Sequence, residues 1–78
     1  MEYFVLNNDN EKFYIFSRHS RILYLEYIYH IRENRLEENK TMKFEDYRIK
    51  NNFVYSSNNL TNLLKMLPTL AVANKYNL

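Results

Sequence analysis

Hydrophobic residues fall along the chain in short blocks, and asparagine doublets at Asn7-Asn8, Asn51-Asn52 and Asn58-Asn59 stand beside them. Tyr3-Phe4-Val5-Leu6 is aromatic and β-branched and predicts a strand. Asn7 to Glu11 predicts a turn, and Lys12 to Ser17 a returning strand, so the two form a hairpin. Met42 to Ile49 and Phe53 to Ser56 predict a second strand pair. It is closed by a type I′ turn at Lys50-Asn51-Asn52, and the break in apolar parity at Glu45-Asp46 predicts either a bulge there or a strand that starts only near Asp46.

Residues 20–38 satisfy two periodicities. Leu23, Leu25, Tyr27, Tyr29 and Ile31 alternate as in a strand; wound at 100° per residue, the same segment gathers Glu26, His30 and Glu33 on one polar face. No Gly, Pro or Asn pair interrupts Ser20 to Glu33, and Arg35-Leu36-Glu37-Glu38 favours helix, so length decides for a helix. The last element is a helix capped by Asn58 or Asn59, with Leu60, Leu63, Leu64, Leu67 and Ala71 on one side. Pro68 either kinks it or stops it at Leu67, with a short turn through Asn74.

The predicted order is ββαββα, an α+β domain spanning residues 1–78. Its architecture is two-layered: an antiparallel four-stranded sheet with two helices on one face. A faint echo between Tyr3…Asn7-Asn8…Phe13…Ser17 and Tyr47…Asn51-Asn52-Phe53…Ser56 hints at duplication.

Composition narrows the chemistry. The chain has 78 residues, no glycine and no cysteine. Without glycine there are no phosphate-cradling loops, nucleophile elbows or dinucleotide fingerprints, all of which need a backbone free of Cβ. Without cysteine there are no disulfides, zinc–thiolate sites or thiol nucleophiles. Asparagine, which tolerates left-handed backbone, is expected to take over glycine's turns. A core this small favours a partner subunit and rarely encloses a catalytic pocket, so the chain is read as non-enzymatic and without cofactors. His19, His30, Ser17, Ser20, Ser56 and Ser57 make no recognisable nucleophile–base motif. Glu26, His30 and Glu33 would share a helix face but fall short of a closed metal site, so no metal is assigned.

Charge is low overall, +2, but uneven: residues 1–46 carry all nine acidic side chains, and residues 47–78 carry only Arg48, Lys50, Lys65 and Lys75. Ser17-Arg18-His19-Ser20-Arg21 is a basic cluster at the entry to the expected first helix, where it would attract an anion. Asn39-Lys40-Thr41 and Asn59-Leu60-Thr61 match the glycosylation sequon. No apolar run approaches the ~18 residues of a membrane span, and Met1-Glu2-Tyr3-Phe4 lacks a signal-peptide pattern, so the chain is expected in the cytoplasm.

The aromatic fraction, 17%, is the remaining clue. A helix over 22–36 would carry apolar residues over most of its circumference, and the surplus should face a partner, since tyrosine is enriched in interface hot spots. AT-rich codon usage offers a second origin for the tyrosines. The leading expectation is a small interaction protein, phage- or mobile-element-encoded. It would occlude a host protein of replication, transcription or nuclease defence, as a homodimer. Arg18, Arg21, Leu23, Tyr24, Tyr27, Tyr29 and Arg48 are the expected partner-binding residues. The alternative is a nucleic-acid binder using Arg18, Arg21, Arg48 and Lys50 with stacking aromatics.

Overall fold

The computed structural model describes residues 1–7, 10–39, 43–45 and 53–76. Its elements are β1 (Glu2–Leu6), β2 (Lys12–His19), β3 (Ile22–His30), β4 (Arg35–Glu38), β5 (Lys43–Glu45), β6 (Phe53–Ser57) and α1 (Leu60–Tyr76). Every strand pairing is antiparallel, in the order β4-β3-β2-β1-β6, with β5 also on β3. β2 fills one side of β3, so β4 and β5 share the other: Glu38 lies opposite Tyr27 and Lys43 opposite Tyr24. They are two pieces of one interrupted edge strand, and the sheet is five strands wide. The chain is α+β, as expected, but among the described residues there is one helix rather than two, and the sheet has more strands than four.

The predicted helix over 20–38 is instead β3, a tight turn and β4. The register explains why the segment looked helical. Phe16 pairs with Leu25 and Ile15 with Tyr27, so a bulge falls at Glu26. Leu23 and Leu25 therefore point to one face of the sheet, and Tyr27 and Tyr29 to the other. A strand that sends apolar groups to both faces, with its parity reversed midway, spreads them as an apolar helix does. Its β-branched and aromatic content is the better guide. Two of the described turns are made away from the asparagine doublets. Among the described residues, positive φ occurs at Ser20 (60°), in the two-residue β2–β3 turn, and at Asn34 (49°), in the β3–β4 turn. Asparagine does take glycine's place, at Asn34 and outside the doublets.

The second predicted hairpin also fails. β5 pairs with β3 and β6 with β1, at opposite edges of the sheet; the turn proposed at Asn51-Asn52 lies outside the described residues. Among the described residues there is one helix, so the helix expected after the first repeat is missing.

The last helix forms as the pattern indicates. Asn59 is its cap: its Oδ1 accepts from the Asn62 amide at 3.1 Å, and its carbonyl accepts from the Leu63 amide at 3.0 Å. The Asn59 amide in turn donates to Ser57 Oγ at 3.0 Å. The helix does not stop at Leu67; it continues through Pro68, which is exposed.

Leu63 and Leu67 bury the helix against Val5, Phe13, Ile15 and Tyr29, with Tyr3, Tyr27, Tyr55, Leu60, Leu64 and Ala71 around them. Phe4, Leu6, Phe16, Leu23 and Leu25 form a second buried cluster on the opposite face, with Tyr14 and Ile28 packed on it. The two cores take up much of the aromatic content: Tyr29 is buried, and Tyr3, Tyr14, Tyr24, Tyr27 and Tyr55 are partly buried. The excess apolar helix surface expected over 22–36 does not exist, because the segment is a strand packed on both faces.

Candidate functional site

The β2–β3 hairpin end holds most of the expected partner-binding residues, and alternation sorts them. Ser17 pairs with Tyr24, Arg18 with Leu23 and His19 with Ile22. Arg18 and Leu23 consequently belong to the second face, and Tyr24, Tyr27 and Tyr29 to the face that carries α1. Leu23 is fully buried and Tyr29 nearly so, with the Tyr29 hydroxyl donating to Asn34 Oδ1. Neither can meet a partner while the chain is folded. Tyr27 is half-buried against the α1-side core. Arg48 and Lys50 lie outside the described residues.

What remains at the hairpin end is a set of basic side chains divided between the two faces of the sheet. The Arg18 guanidinium lies 3.8 Å from the Glu2 carboxylate across β1 and 5.5 Å from the Phe4 ring centre. Arg21 is exposed in the turn. On the other face the Tyr24 ring receives the His19 ring edge-on at 5.2 Å and the Lys43 ammonium at 5.6 Å. Lys43 reaches this ring through the β5–β3 pairing. Sequence reasoning missed it because residues 42–49 were assigned to a different hairpin. Beneath the group, the buried Ser17 hydroxyl donates to Glu26 Oε1 at 2.9 Å, satisfying a polar atom that water cannot reach.

The supposed metal triad is dispersed. Glu26 turns to Ser17 on the α1 side, whereas His30 Nε2 lies 3.0 Å from Glu37 Oε1. Glu33 accepts from Arg35 Nε at 2.8 Å, and Arg35 also reaches Glu37 at 3.6 Å. The hydrogen bond from Arg35, and then its charge, hold the Glu33 carboxyl below the usual carboxylate range. Among the described residues no three metal-ligating side chains gather. An open cavity of about 240 Å³ lies at this end of the sheet, lined by Glu11, Lys12, His30, Arg32 and Glu33. Its charges are mixed, and it is smaller than the ~300 Å³ at which ligand pockets begin.

The two edges of the sheet differ sharply in chemistry. The β4/β5 edge reads Arg35-Leu36-Glu37-Glu38 and Lys43-Phe44-Glu45, charged at most positions. The β6 edge reads Phe53-Val54-Tyr55-Ser56-Ser57, with no charge at all. Phe53 (39%) and Val54 (41%) are exposed there, Phe53 stacking on Phe4 at 5.0 Å between ring centres. No described helix is long and apolar enough to cross a membrane. Comparison with protein families, curated proteins and solved structures finds no match to this chain.

Proposed function

We propose that the chain is a non-enzymatic protein that works by occupying an acidic patch on another protein. The observation that carries this reading is the hairpin end, where Arg21 is exposed in the turn and Lys43 and His19 flank Tyr24 on one face, with Arg18 on the opposite face. A rigid hairpin presents this group with little ordering cost, and Arg and Tyr are the side chains that dominate binding hot spots. An acidic partner would complement the exposed Arg21 and Lys43. In this reading the protein is a steric inhibitor of a host protein, encoded by a phage or mobile element.

Charge reversal tests it. The Arg21→Glu, Lys43→Glu double variant changes two exposed positions, so its melting temperature should match the parent. It should lose the partner that the parent retains from host lysate. Equal retention by both would refute the assignment of the hairpin end.

The Lys43 ammonium over the Tyr24 ring favours one second reading, a nucleic-acid contact in which the ring stacks on a base and the cations meet phosphates. That reading requires affinity for single-stranded DNA or RNA that falls steeply with salt. An absence of binding at low salt would remove it.

A further inference from the structure

Ile22 and Tyr24 are the two large apolar side chains of β1, β2 and β3 that pack into neither core. Every other one on those strands belongs to the α1-side cluster or to the cluster on the second face. Pairing sets the two side by side. Ile22 lies opposite His19 and Tyr24 opposite Ser17, and Ser17 and His19 alternate onto the same face of β2 as Phe13 and Ile15. Both therefore stand on the face that carries α1, about 7 Å apart along the strand. The helix seats farther from the turn, on Val5, Phe13, Ile15 and Tyr29. Ile22 keeps 40% of its surface exposed, and the half-buried Tyr24 ring is flanked by His19 and Lys43.

We propose that this strip receives one large apolar side chain of the partner, set between carboxylates. The inference rests on the acidic-patch reading above and adds what charge does not supply. Exposed ion pairs steer and orient an encounter but contribute little affinity by themselves. A hot spot is a desolvated apolar or aromatic contact enclosed by polar groups. The hairpin end has both parts in that arrangement. Arg21 stands beyond Ile22 in the turn and Lys43 lies beside Tyr24, so cations bracket the strip along its length. Carboxylates that meet Arg21 and Lys43 draw the partner chain across Ile22, and the residue between them comes down on it. Glu45 holds the register position opposite Ile22 on β5, which disfavours a third carboxylate there and leaves the middle place to an apolar residue. A strip about 7 Å long is the footprint of one or two side chains, so the occupant is a short acidic segment with an apolar centre.

The probes are two fluorescently labelled peptides: an aspartate-rich peptide with a leucine pair at its centre, and the same peptide with serines in place of the leucines. Fluorescence anisotropy with the full chain should show the leucine peptide bound about tenfold or more tightly than the serine peptide, as removal of a large aliphatic side chain from water requires. Ile22→Ser should bind both with the weaker affinity. Ile22→Leu should keep the preference, which separates loss of the surface from loss of the fold. Arg21→Glu, Lys43→Glu should lose both peptides. Equal affinity for the two peptides, or a preference that survives Ile22→Ser, would overturn the proposal and leave the acidic-patch reading standing. A chain that binds neither peptide would overturn both. Sedimentation of the parent as two chains and of Ile22→Ser as one would assign the strip to a second copy, and would overturn the proposal likewise.

Discussion

The attachment of α1 to the sheet forms one of the two cores, and Leu63 is buried within it. Its side chain has no exposed surface and sits among Val5, Phe13, Ile15 and Tyr29. Leu63→Ala removes buried methyl groups where the sheet cannot collapse to fill the space, because each neighbour is held by strand pairing. Such truncations cost about 3–5 kcal/mol. The whole stability expected of 78 residues is roughly 4–12 kcal/mol at typical per-residue values, so the variant loses a large share of it. In a domain this small each kcal/mol shifts the melting temperature by about 4–8 °C. A fall of at least about 12 °C follows. Val72, on the same helix but 56% exposed, provides the control: Val72→Ala should stay within about 0.5 kcal/mol of the parent. Urea unfolding followed by circular dichroism measures both, and Leu63→Met, which conserves volume, should recover all but about 1.5 kcal/mol. Equal losses at Leu63 and Val72 would show that α1 does not seat on the sheet by this face.

Three further outcomes follow from particular contacts. At Asn34, φ is 49° and the side chain accepts from the Tyr29 hydroxyl; Asn34→Ala disturbs both, whereas Asn34→Gly keeps the backbone and loses only the acceptor. Alanine should therefore be the more destabilising by about 1 kcal/mol in urea unfolding, the cost of a left-handed Cβ. Pro68→Ala restores an amide donor within α1 and should raise the melting temperature, by up to the ~3 kcal/mol that separates the two residues in helices; a lower melting point would contradict the helix running through this position. The two ends of the pH scale act through different groups. Burial pushes the Tyr29 hydroxyl above its ordinary value of 10.0, so its contribution is present below that value and is lost as pH rises through the raised folded one. Ultraviolet titration should show a last-ionising tyrosine that is missing in Tyr29→Phe. Glu33, held low by Arg35, contributes above the ordinary carboxylate value and fades as pH falls through its lowered one. The melting-temperature gap between the parent and Arg35→Ala should therefore narrow on acidification.

Legibility followed the regularity of each element. β1, β2 and α1 could be read because their patterns keep one parity or one stripe from end to end, and Asn59 caps α1 where a cap was sought. β3 could not, because the bulge at Glu26 reverses its parity and Ser20 and Asn34 turn the chain without glycine or proline. The same error displaced the site. Glu26, His30 and Glu33 share a face only on a helix, and Leu23 and Tyr29 look available to a partner only when a strand buried on both faces is mistaken for a helix with apolar girth to spare. Lys43 was invisible for a different reason: its place beside Tyr24 depends on a pairing between strands that are not neighbours in a simple hairpin scheme.

Edge chemistry lies between these cases. The sequence shows that acidic residues are confined to positions 1–46 and that Phe53 to Leu64 carries no charge, but as composition this decides nothing. It acquires meaning once β4/β5 and β6 are known to be the two margins of one sheet. Charge spent along an inner strand would only weaken packing. Along a margin it opposes the approach of further strands, and β4/β5 carry it whereas β6, bulged at Val54, does not.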